Sequence, residues 1–123
     1  MNIIIDGDEW RKVTQNKDYS KEGRMNNLKG AFDTALFLEN AGFMVTISMV
    51  APYQSMRDYL KERAEELVQV HLTYNSRIED RGRNDYFVQD FEKPNEEDVL
   101  ELNTSALSVY QCINKLILKT LKS

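Results

Sequence analysis

Strands that alternate with helices predict an α/β fold, an open parallel sheet of about four strands flanked by helices. Three observations carry this expectation. Residues 2–5 (Asn-Ile-Ile-Ile) and 43–50 (Phe-Met-Val-Thr-Ile-Ser-Met-Val) are β-rich apolar runs without the polar alternation of a solvent-facing strand. Between them Leu28, Ala31, Phe32, Ala35, Leu36 and Leu38 recur at helical spacing. The succession then repeats, with a helical pattern at 53–66, strand patterns at 67–74 and 99–104, and a terminal amphipathic helix. A chain built this way places its crossovers right-handed on a parallel sheet.

Each element has its local reason. The first run is β-branched and short, and it passes into Asp6-Gly7-Asp8 and a brief helical turn. A polar stretch from Gln15 to Lys21 follows. Ser20 suits the N-cap of the next helix, with Glu22 and Gly23 in its first turn, and Gly42 supplies its stop. The second strand ends at Ala51-Pro52. In the helix at 53–66 the apolar stripe is Met56, Leu60 and Ala64. The terminal helix is expected from about Ser105 to Leu121, with Leu107, Tyr110, Ile113, Leu116, Ile117 and Leu121 on its core side. Between residues 75 and 97 periodicity gives way to charge, aromatics and one proline. An insertion of that length in a compact domain is usually functional or mobile. The expectation is therefore one domain, 1–123, carrying a lid-like insertion at 75–97.

At 123 residues the chain can bury roughly two-thirds of its unfolded surface in a single core. Hydrophobic residues make up 41% and charged residues 29%, an ordinary globular balance. No apolar run approaches the ~18 residues of a membrane helix, and no signal-peptide pattern opens the chain, so no membrane association is expected. Cys112 is the only cysteine, which fits a reducing, cytoplasmic setting and a packing role in the last helix. A net charge of −4 argues against a nucleic-acid partner, since an acidic surface repels phosphate chains. It leaves room for one small phosphate-bearing ligand held by a local group of arginines, of which Arg11, Arg24, Arg57, Arg77, Arg81 and Arg83 are available.

Ligands of open parallel sheets bind beyond the carboxyl ends of the strands. The first strand ends in Asp6-Gly7-Asp8, the second in Ser48 to Tyr53, the fourth in Asn103-Thr104. A carboxylate at the first end can orient a hydroxyl nucleophile, accept its proton, or hold a water on Mg²⁺. Asp6 reads first as a helix cap. Asp8 is one acid more than capping needs and is the sharper candidate. Arg11, one turn on, can clamp an anion with its planar fork. Arg24 and Asn27, three apart, share a helix face. His71 has no second histidine or cysteine at ligand spacing and reads as a half-buried strand residue, so no metal site is expected. Tyr86, Phe87 and Phe91 suit either core packing or stacking on a planar base.

With these residues in place, "DGDEWR", "DYSKEGRMNN", "AGFMVTISMVAPYQSMR" and "YFVQDFEKP…LELNT", in that order and spacing, resemble the adenylylsulfate kinase family across nearly the whole chain. That family has a P-loop kinase fold and transfers the ATP γ-phosphate, with Mg²⁺, to the ribose 3′-hydroxyl of adenylylsulfate. The resemblance implies roles residue by residue. Asp8 matches the acid that orients or deprotonates the acceptor hydroxyl. Arg11, Arg24 and Asn27 match groups holding the sulfate–phosphate end of adenylylsulfate. Tyr19 stands where the family has a phenylalanine that packs on adenine. Pro52 and Tyr53 match the loop beside the acceptor, and Asp6 shares the first strand end. The insertion corresponds to the mobile lid, with Phe91 and Glu92 near its closing segment.

The sequence also departs from the family. Ala51 replaces a common serine and Gln54 a common arginine, and "IEDRGRNDYF" replaces a lysine-rich lid stretch, where Arg81 or Arg83 substitutes. The largest departure is the absence of Gly-x-x-x-x-Gly-Lys-[Ser/Thr], since the five glycines, at 7, 23, 30, 42 and 82, form no phosphate cradle. The expected fold is thus P-loop kinase-like with its central first strand missing, retaining the acceptor half-site and inactive alone. By the family's topology that strand lies between those at 43–50 and 67–74, whose edges then stand ~10 Å apart, against ~4.8 Å for direct pairing. The strands close up, another chain fills the slot as a homo-oligomer or partner, or the chain is an excerpt. A noncatalytic nucleotide-binding or self-assembling module is the alternative function.

Overall fold

The computed structural model describes residues 2–73, 90–95 and 97–122. Arg77, Arg81, Arg83, Tyr86, Phe87 and most of the expected lid lie outside them. Element order is β1 (Asn2–Asp6), α1 (Gly7–Thr14), α2 (Lys21–Asn40), β2 (Met44–Ser48), α3 (Gln54–Arg63), β3 (Val70–Thr73), β4 (Leu100–Asn103) and α4 (Val109–Lys122). All four expected strands are present in a mixed α/β chain, and both ladders are parallel. They form two pairs, β1 with β2 and β3 with β4, and among the described residues no ladder joins β2 to β3.

The chain divides into two compact units. In the first, built from β1, α1, α2, β2, α3 and the segment at 90–93, the register Ile3–Val45 and Ile5–Ile47 alternates with Asn2–Met44, Ile4–Thr46 and Asp6–Ser48. Ile5, Val45 and Ile47 pack on Ala31 and Ala35 of α2, with Trp10 of α1 beside them. Leu28 and Phe32 of α2 meet Tyr53, Met56 and Leu60 in an adjoining cluster, which Ile47 and Met49 link to the first. Each such fully buried large side chain contributes about 1.5–3 kcal/mol of transfer free energy. The alternate face of the pair, with Ile4 and Met44, stands exposed.

Capping explains the helix limits. Asp6 accepts from the Glu9 N–H at 3.2 Å, as expected of an N-cap. With Asp8 and Glu9 at its start and Arg11 and Lys12 at its end, α1 runs eight residues, longer than a brief turn, until Gln15 turns left-handed at φ 58°. Ser20 caps α2 through the Gly23 N–H. Its far end is a Schellman motif, where Gly42 at φ +96° lets its own N–H reach Glu39 O and that of Phe43 reach Leu38 O.

In the second unit β3 pairs β4 from Val70–Leu100 to Thr73–Asn103, and His71 is half-buried as expected. The terminal helix starts later than about residue 105. Ser105 is spent on a turn, its N–H and hydroxyl both donating to Asn103 Oδ1. Ser108 and Gln111 then form a reciprocal capping box. The stripe expected to face the core, Tyr110, Ile113, Leu116, Ile117 and Leu121, is exposed, and Cys112 is half-buried. No helix among the described residues is long and apolar enough to cross a membrane.

Candidate functional site

The first unit gathers most of the sequence-nominated residues. The start of α1 sits hard against the end of β2: a Cβ on Gly7 would lie 3.3 Å from Met49 Cγ and 3.5 Å from Ser48 O. Asp6 is occupied as a cap. Asp8 is exposed in the first turn and makes no ion pair among the described residues, so its carboxylate is available to a ligand.

Arg11 organises the connection from α1 to α2. Its Nη1 donates to Asn16 O (3.1 Å), Asn16 Oδ1 (3.0 Å) and Asp18 O (3.2 Å). Asn16 Nδ2 reaches Gly23 O at 3.5 Å, and Asn16 Oδ1 also accepts from the Asp18 N–H. Asp18 accepts from Ser20, whose hydroxyl and N–H hold its carboxyl below the usual carboxylate range. The loop so tied carries Tyr19 between two guanidinium groups. The Arg11 centre is 4.0 Å from the ring centroid and that of Arg24 5.4 Å, while Arg24 Nε donates to Tyr19 O at 2.9 Å. One turn along α2 lies Asn27, only 7% exposed, whose Oδ1 has no hydrogen-bond partner among the described residues. An orphaned buried acceptor of this kind is met by a buried water or by a donor from a bound group.

Pro52 and Tyr53, after β2, are buried, Tyr53 at 2% exposure. The Lys21 ammonium lies 5.2 Å from the Tyr53 ring. Burial pushes the Tyr53 hydroxyl up, the Asp90 carboxylate adds to the effect, and the Arg24 charge opposes it. The Glu92 N–H donates to Pro52 O at 2.7 Å, and Phe91 lies 5.8 Å from the Arg57 guanidinium centre.

The structure therefore groups Arg11, Tyr19 and Arg24, with Asn27 on the same α2 face, and groups Pro52, Tyr53 and Phe91. Among the described residues no hydrogen bond, ion pair or ring contact joins Asp8 to either group, and Arg81 and Arg83 lie outside those residues. Arg57 was read only as one of six arginines available to a ligand, and its part in the fold was missed. Its signal was its place three residues before Leu60, on the apolar face of α3, where an arginine stays only if its fork is satisfied. Among the described residues no group of three or more histidine, cysteine or acidic side chains could hold a metal ion.

Comparison with known proteins identifies the family. The family model for adenylylsulphate kinase matches residues 1–87, and the chain belongs to that family. An adenylyl-sulfate kinase of Picosynechococcus is 29% identical over 83 residues, covering 67% of this chain and 46% of the relative. A probable adenylyl-sulfate kinase of Archaeoglobus fulgidus is 30% identical over 69 residues, 55% of this chain and 44% of the relative. A cytidine diphosphoramidate kinase of Campylobacter jejuni is 24% identical over 70 residues, 57% of this chain and 41% of the relative. The chain spans less than half the length of each of these relatives.

Proposed function

We propose that this chain carries the acceptor half of an adenylylsulfate kinase-like phosphotransferase acting in sulfate assimilation. The observation that supports it best is the Arg11–Tyr19–Arg24 cluster with the orphaned Asn27 Oδ1 one turn away. Two guanidinium groups provide charge and bidentate donors for a sulfate–phosphate anhydride, and Asn27 accepts from a ligand hydroxyl or amine. Phe91, exposed, lies on the nucleoside side, and the buried Pro52 and Tyr53 hold the loop behind it. Asp8 orients the acceptor 3′-hydroxyl and takes its proton.

The donor side does not fit these residues. No Gly-x-x-x-x-Gly-Lys-[Ser/Thr] occurs in the 123 residues, so the backbone donors and lysine that grip the β- and γ-phosphates of Mg²⁺-ATP have no counterpart here. The chain on its own binds acceptor without transferring phosphate, and polypeptide outside these residues supplies the ATP grip. Paired among the described residues with β1 alone, and with Ile4 and Met44 bare on one face, β2 suits a sheet completed by a second copy or a partner chain. The setting that fits is cytoplasmic.

Thermal melts with single ligands test the reading. Adenylylsulfate at about 100 times its Kd is expected to stabilise the fold by about 2.7 kcal/mol, while Mg²⁺-ATP leaves Tm unchanged. A cytidine diphosphate compound is the informative control, given the name of the Campylobacter relative. If no nucleotide moves Tm while sedimentation finds self-association, the noncatalytic assembly module is the better account.

A further inference from the structure

Arg57 is the one buried charged residue among those described, at 6% exposure. A buried guanidinium is stabilised by the donors it satisfies, here its two terminal nitrogens. Nη1 donates to Ala51 O, and Nη2 donates to Glu92 O and, at 2.7 Å, to Gln54 Oε1. The Phe91 ring lies against the same guanidinium. Glu92 returns the connection from its side. Its N–H donates to Pro52 O, and its Oε1 accepts the Gln54 N–H at 2.7 Å. That second bond matters because α3 has Tyr53 at its N-cap position and no side-chain cap of its own. A carboxylate at this end also meets the positive pole of the helix. Glu92 therefore caps α3 from a segment far along the chain.

We infer that Arg57 and Glu92 form a two-way clasp. It fixes the segment at 90–93 onto the loop after β2 and so sets Phe91, Pro52 and Tyr53 in one register for the acceptor nucleotide. This role rests on the acceptor reading above. Neither residue need touch the ligand: Arg57 acts through the carbonyls of Ala51 and Glu92, and Glu92 through the end of α3. Both are positioning residues.

Amide exchange and calorimetry on the full chain decide this together. In Glu92→Ala the Gln54 amide is expected to exchange at least about tenfold faster, while the Ala64 amide, bonded to Leu60 O at the other end of α3, keeps its protection. Glu92→Gln, which retains an acceptor oxygen, restores most of the Gln54 protection. Arg57→Lys keeps the charge and loses the fork, so the Glu92 amide exchanges faster. In both Glu92→Ala and Arg57→Lys adenylylsulfate binds about tenfold more weakly, with Glu92→Gln near wild type. Unchanged Gln54 protection in Glu92→Ala overturns the clasp. Lost protection with unchanged affinity overturns the positioning role. A wild-type chain that binds no adenylylsulfate removes the acceptor reading and the positioning role with it, and the exchange result then still decides the clasp by itself.

Discussion

Gly23 leaves no room for a side chain. A Cβ there would stand 2.2 Å from Asp18 Cγ and 2.5 Å from Asp18 O, inside a loop already fixed by Arg11, Asn16 and Ser20. Gly23→Ala is expected to lower stability by about 1–3 kcal/mol, read from the urea midpoint, and to loosen Tyr19 between its two guanidinium groups. Asp33 gives a pH signature. The Tyr59 hydroxyl and then the Lys29 ammonium donate to it and hold its carboxyl below the usual range. A depressed carboxyl binds fewer protons folded than unfolded, so its stabilisation is present above the ordinary pKa and is lost as pH falls through the folded value. The stability gap between wild type and Asp33→Asn is thus expected to be widest at neutral pH and to close in acid, on urea titrations from pH 7 to about 2.5. At this scale Arg24 and Asn27 were legible, because three-residue spacing on a helix fixes a shared face. Arg11 was read as an anion clamp one turn beyond Asp8, and its three carbonyl partners, all supplied by the loop that follows, were not legible. Arg57 was hidden for the opposite reason. Its partners come from residues 51, 54 and 92, and no local pattern joins the last of these to the others.

Elements with a strong period and a strong cap were readable from sequence. The strands β1 and β2, the body of α2 and its Ser20 and Gly42 ends all follow from β-branched runs, helical spacing and two capping residues. Ser20→Ala is expected to cost about 1 kcal/mol and to fray the turn that carries Gly23 and Arg24, visible as a lower urea midpoint and faster exchange of the Gly23 amide. The beginning of α4 was less readable because two serines compete. Ser105 and Ser108 each suit a cap, and only the Asn103 side chain, which captures the first, decides for the second. The limit of α3 depends on a residue outside the helix altogether. Tyr53 offers it no side-chain cap, and the acceptor arrives from Glu92.

For the molecule as a whole, the α/β class and the parallel sense of every ladder were predictable, since connections of helix length between apolar runs permit little else. The division of the described strands into β1–β2 and β3–β4 has no counterpart in any local sequence pattern. What the acceptor reading needs lies in the first unit: an anion cluster at Arg11, Tyr19 and Arg24, a buried unpaired acceptor at Asn27, and the Tyr53 loop beside them. Titration calorimetry of adenylylsulfate into the wild-type chain and into Arg24→Ala tests this most directly. The account predicts one site per chain in the wild type and a loss of at least about tenfold in affinity in the variant, as expected for a charge-assisted contact. Equal affinity in the two proteins, or no heat of binding in either, would contradict it.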